Sequence, residues 1–110
     1  AMDDAMRAAA AQAGGSVDIE WRTDYLPISY AADHPVVEGV VRAARAAGLP
    51  PRLASSGGGA DANILAGRGV SAITLATGMA DYHSSEEYIT VDNLNGCARL
   101  VEQLVLEARE

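Results

Sequence analysis

Two loops of this sequence carry the residue types from which a site can be built. The first is Ser56-Gly57-Gly58-Gly59-Ala60-Asp61. Consecutive glycines ahead of a helical turn can aim main-chain N–H groups at an anion, and the positive end of a helix adds a favourable field. The same glycines also suit a tight strand-to-helix turn that needs positive φ. No Lys-Ser/Thr follows them and no G-x-G-x-x-G is present, so neither nucleotide fingerprint applies. Asp61 can cap the short helix that follows, and Asn63 can either hydrogen-bond a ligand or tie down the loop. The second loop is Met79-Ala80-Asp81-Tyr82-His83-Ser84-Ser85-Glu86-Glu87. Its one imidazole is too few for zinc, which takes at least three protein ligands in catalytic sites. No H-E-x-x-H or paired Cys/His spacing accompanies it. Nucleophilic catalysis finds no setting either. Ser55, Ser56, Ser84 and Ser85 lack a G-x-S-x-G elbow, Cys97 lies on the apolar stripe of a helix, and His34 beside Pro35 reads as a surface residue. No catalytic residue is assigned.

The elements that must position these loops follow from periodicity. Alanine-rich residues 2–13 predict a helix with Asp3 and Asp4 at its positive end and Gly14-Gly15 as its stop. Val17, Ile19 and Trp21 alternate with Asp18, Glu20 and Arg22, the pattern of a strand with one buried face. Tyr25-Leu26-Pro27-Ile28 breaks that strand and begins an extended crossing to Ala32. Asp33 as N-cap and Pro35 in the first turn open a second helix, with Val37, Val40, Val41 and Ala44 as its stripe and Gly48 as its end. Residues 52–55 and 70–75 read as strands, and 61–66 as a helical turn or two. Thr90 caps a last helix whose stripe is Leu94, Cys97, Ala98, Val101, Leu104, Val105 and Ala108. An opening helix–strand pair and a strand such as 70–75, apolar on both faces, need neighbours that 110 residues barely supply, so the chain reads as a piece of a larger domain.

Composition narrows the partners. Eight arginines and no lysine face fifteen acidic residues, a net charge of −7 with no basic run. That removes the electrostatic basis for binding nucleic acid or an anionic membrane surface. No apolar stretch approaches the ~20 residues of a membrane span. The single cysteine excludes an internal disulfide and fits a reducing compartment, and with no basic-then-apolar leader the expected location is cytoplasmic.

Taken as a string, Ser56 to Ile64, Gly67-Arg68-Gly69-Val70 with its apolar run, Gly78-Met79, and His83-Ser84-Ser85-Glu86-Glu87-Tyr88-Ile89 before a helix resemble the C-terminal end of peptidase T-like enzymes. These belong to a dinuclear zinc exopeptidase and amidohydrolase family that also holds carboxypeptidase G, aminoacylase and succinyl-diaminopimelate desuccinylase. The resemblance is strongest over 52–107. It implies an α/β fold, the C-terminal part of a catalytic domain with a mixed sheet flanked by helices (residues 29–110), preceded by the last helix–strand unit of an α+β lid that often mediates dimerisation (residues 1–28). It further implies that His83 is a metal ligand for one of two zinc ions, and that Gly57, Gly58, Gly59 and Asn63 line the substrate pocket. Asp61 and Glu87 would support the site. Ala60 stands where the family has Ser or Thr. The His-x-Asp motif, the bridging Asp, the Glu-Glu pair with the general base, and the remaining acidic ligand have no match here.

The expectation is therefore a segment of a zinc exopeptidase acting on short peptides, inactive by itself, with a possible homodimer through the lid. The alternatives are an N-acyl amino acid amidohydrolase, or a non-catalytic assembly or binding module on the same scaffold.

Overall fold

Four helices form among the described residues, each bounded by signals that lie close to it in sequence. The structure is a computed structural model that describes residues 1–108; the last two residues of the expected 29–110 unit lie outside the described residues. Helix α1 (Met2–Gln12) carries Asp3 and Asp4 in its first turn. It stops where Gly14 turns to φ 75° and Gly15 N–H donates to the Ala10 carbonyl at 2.9 Å. Helix α2 (Pro35–Ala46) starts on Pro35, whose fixed φ suits a first helical position. Its cap is His34, not the expected Asp33: His34 Nδ1 accepts from Val36 N–H at 3.2 Å. The imidazole is half-buried and its ring centroid lies 4.3 Å from that of Tyr30, which corrects the reading of His34 as a surface residue. Gly48 at φ 74° ends the helix. Helix α3 (Asp61–Gly67) is short, and α4 (Val91–Glu107) is capped by Thr90 Oγ1, which accepts from Asn93 N–H at 3.2 Å.

The core lies between α2 and α4. Val37, Ala43, Ala44 and Ala47 are buried there, and their small side chains bring the second helix close. Gly96 is the buried residue of α4; a Cβ at that position would touch Leu49 at 3.4 Å. Arg99 Nε donates to the Ala47 carbonyl at 3.4 Å, and Arg42 pairs with Glu107 at 3.0 Å. The covered residues of α4 are thus Gly96, Cys97, Leu100, Gln103, Leu104 and Glu107. This face is rotated from the expected stripe, of which Leu94, Val101 and Val105 remain 56%, 55% and 52% exposed.

The expected strands 17–22, 52–55 and 70–75 form no ladder among the described residues; an antiparallel bridge joins Ala80 and Tyr88. The physical reason is the absence of edges to pair with. Segment 17–21 instead lies along α1, where Trp21 Nε1 donates to Asp3 Oδ1 at 2.7 Å and Arg7 to the Val17 carbonyl at 3.4 Å. The accessible surface is 8825 Å², against roughly 5,800 Å² for a closed monomer of this mass. The radius of gyration is 19.6 Å, against about 13 Å for a compact chain of this length. Much apolar surface is left open, including Met2, Met6, Trp21, Leu26 and Leu53.

Candidate active site

The glycine loop is laid over the crossing segment. No main-chain to main-chain hydrogen bond holds residues 51–59 among the described residues, so side chains set the loop's shape. Gly58 N–H donates to Ser56 Oγ at 3.2 Å. Asn63 ties the other end, with Oδ1 accepting from Ala60 N–H and Nδ2 donating to the Leu26 carbonyl, both at 3.0 Å. Asp61 is the first residue of α3 and the cap position is Ala60, so Asp61 favours the helix by charge rather than by capping. None of the three glycines has positive φ. The turn therefore does not need glycine for its backbone angles. Space explains Gly59 alone: a Cβ there would overlap the ring and hydroxyl of Tyr25, whereas one at Gly57 would meet nothing within 4 Å.

The second loop is closed at its neck and braced inside. Ala80 and Tyr88 exchange main-chain hydrogen bonds at 2.9 and 3.2 Å. Within it Ser84 Oγ donates to the Asp81 carbonyl at 2.6 Å and accepts from Glu86 N–H at 3.1 Å. Asp81 (φ 51°) and His83 (φ 66°) both adopt the left-handed region, which costs a non-glycine residue about 1–2 kcal/mol. Glu87 holds that conformation by accepting the His83 N–H at 2.9 Å on Oε2. The imidazole projects into solvent with Tyr82 edge-on at 5.5 Å between centroids. Positive φ is uncommon for a residue other than glycine, though histidine adopts it more readily than most.

The loop foundations are shared with the helices. Asn93, in the first turn of α4, donates from Nδ2 to the Gly78 carbonyl at 2.8 Å, and Cys97 Sγ donates to the Thr77 carbonyl at 3.3 Å. Cys97 is therefore half-buried beneath the strand-like run that leads to His83.

The described residues include no cluster of three or more His, Cys, Asp or Glu side chains suited to a metal ion. His83 presents one ligand and Glu87 is engaged by main chain. These residues alone do not fit a zinc site. Nor does any described helix have the length and apolarity to cross a membrane.

A family profile described as "Peptidase family M20/M25/M40" matches residues 4–107. The chain belongs to that peptidase family. The chain is 36% identical over 97% of its length to the uncharacterized protein YqjE of Bacillus subtilis strain 168, covering 29% of that protein. It is 28% identical over 79% of its length to peptidase T of Shouchella clausii strain KSM-K16, covering 22%. The crystal structure of aminopeptidase PepT from Bacillus cereus ATCC 10987 superposes on 99% of the chain with a TM-score of 0.80 and 37% identity. The chain covers 29% of that structure, so it spans less than a third of the length of these relatives and corresponds to part of a peptidase fold. The open surface and the unpaired strand segments have their counterpart in that ratio.

Proposed function

We propose that this chain is part of a peptidase T-like, metal-dependent exopeptidase that removes residues from a terminus of short peptides. The observation that carries this reading is the likeness to aminopeptidase PepT along nearly the whole chain, at 37% identity. In this reading residues 1–28 close the lid and 29–110 belong to the catalytic domain, whose mixed sheet forms with chain beyond these 110 residues. His83 is one ligand of a pair of zinc ions, the other ligands and the general base lying in that further chain. When bound, zinc supplies Lewis-acid chemistry. Glu87 fixes the main chain of His83. Gly57, Gly58, Gly59 and Asn63 form one wall of the pocket, where the Gly57 and Gly59 N–H groups, which make no hydrogen bond among the described residues, meet the anionic end of a peptide that the net charge of −7 otherwise repels. Asp61 steadies α3 beneath that wall. A cytoplasmic location and a homodimer through the lid complete the proposal.

The test is hydrolysis by the complete protein, with tripeptides and N-acetyl amino acids offered in parallel, with and without a chelator. Release of terminal residues that stops on chelation and in His83→Ala supports the reading. Turnover restricted to N-acetyl amino acids moves the enzyme to the amidohydrolases. Absence of hydrolysis of either class leaves a binding module.

A further inference from the structure

The crossing segment meets the glycine loop at two adjacent residues. The ring of Tyr25 lies against Gly59 so closely that a Cβ on the glycine would overlap the Tyr25 hydroxyl and ring carbons. Next to it, the Leu26 carbonyl accepts from Asn63 Nδ2 at 3.0 Å, and the Asn63 oxygen holds the Ala60 N–H. Residue 59 is thus met directly, and residue 60 through Asn63, by two consecutive residues of a distant segment. Few other restraints act on the loop. Main-chain hydrogen bonds are absent from 51–59 among the described residues, and a Cβ at Gly58 would meet only Ser56 Oγ, at 3.6 Å. The Tyr25 hydroxyl makes no hydrogen bond among the described residues, and the side chain as a whole is 47% exposed. Its role is therefore that of a flat surface rather than of a donor.

We propose that Tyr25 is a positioning residue for the substrate pocket, its ring holding Gly59 and thereby setting the shape of the 57–59 loop. The inference rests on the peptidase reading above, since it assigns that loop to the pocket. A ring has a footprint large enough to seat a main-chain segment, and only glycine lets the chain come down on it. Phe retains that footprint. Ala removes it and frees the loop. A methyl on Gly59 collides with the hydroxyl end of the ring, so ring and loop must part, and this harm disappears once the ring is gone, because the two changes act on one contact.

The experiment compares Tyr25→Phe, Tyr25→Ala, Gly59→Ala and the Tyr25→Ala/Gly59→Ala double variant in the complete enzyme, reading KM, kcat, metal content and Tm. Tyr25→Ala and Gly59→Ala each raise KM for a tripeptide about tenfold, with kcat and metal content close to wild type. Tyr25→Phe keeps the wild-type KM, and the double variant is no worse than either single one. Multiplicative losses in the double variant, or a Tyr25→Phe as impaired as Tyr25→Ala, overturn the proposal. So does a wild-type KM in Tyr25→Ala. Where Tyr25→Ala fails to fold, Tyr25→Leu takes its place, with an intermediate KM expected and a wild-type KM overturning the proposal. Failure of the peptidase reading looks different: the wild-type enzyme then hydrolyses no tripeptide, and both conclusions fall together.

Discussion

Glu87 and the main chain of His83 form a closed pair: the carboxylate four residues downstream accepts the histidine's own N–H at 2.9 Å while His83 sits at φ 66°. The acid thus stabilises the left-handed backbone of a residue whose imidazole is exposed. Glu87→Ala removes the brace and leaves the left-handed residue unsupported. In the complete protein it should lower zinc affinity about tenfold or more, the usual effect of losing a group that orients a ligand. Glu87→Gln keeps an acceptor oxygen and should lose far less. Zinc titration against a competing chelator measures both.

The 110-residue chain by itself should bind zinc weakly and hydrolyse no peptide. It places His83 in no group of three or more potential ligands among the described residues, and zinc sites draw on at least three. Calorimetry with zinc, manganese and cobalt checks the first statement and tripeptide assays the second. Submicromolar zinc affinity in this chain would show that Asp81 and Glu86 complete a site with His83.

Gly57→Ala and Gly58→Ala make an informative pair. Neither glycine has positive φ and neither Cβ meets an obstacle, so each variant should keep the wild-type Tm within about 2 °C, the range of surface changes well under 1 kcal/mol. If the loop's N–H groups face the substrate, KM rises several-fold for a carboxylate-bearing peptide. Unchanged kinetics in both would leave the loop as a connection only.

Gly96 in α4 should respond with opposite signs to two substitutions. Gly96→Ala places its methyl 3.4 Å from Leu49, an ordinary contact, and gains helix propensity of about 0.8–1 kcal/mol. Gly96→Val adds branches where Leu49 and Arg99 already lie within 4 Å of the Cβ position and should cost about 1–3 kcal/mol. Denaturant unfolding ranks the three proteins.

Gly78 carries two constraints at once. Its φ is 75°, and a Cβ would come within 2.7 Å of Asn93 Nδ2, the group that donates to its own carbonyl. Gly78→Ala should therefore lose about 1–3 kcal/mol, seen as a lower Tm, and Asn93→Ala should relieve part of that loss.

The helices were legible because their signals are local. Pro35, Gly48, Thr90 and the Gly14-Gly15 pair act within a turn of the residues they govern. His34 took the cap from Asp33 because an imidazole directly before Pro35 reaches the Val36 N–H while its ring rests on Tyr30; a histidine preceding proline was the available clue. Alternation in 17–22 says that one face is to be buried but not by what; here α1 lies alongside through two hydrogen bonds and leaves Trp21 open. The rotation of α4 had no local sign either, since the preference for Gly96 over Leu94 comes from the small residues of α2. The Tyr25–Gly59 contact joins segments far apart in sequence, so no spacing rule points to it.

Both candidate loops lie on the single excursion of chain that leaves α2 and returns at α4. The two helices therefore act as the knot of a noose: while they touch, the ends of everything between them are held at a fixed span, and the entropy of that closure is already spent. Parting the pair releases the glycine loop and the His83 loop in one event, although no hydrogen bond joins those loops among the described residues. Amide exchange in residues 78–88, where main-chain bonds are few, should accordingly quicken when the distant Val37 or Ala43 is altered, and damage in the α2–α4 seam should surface as simultaneous loss at both loops.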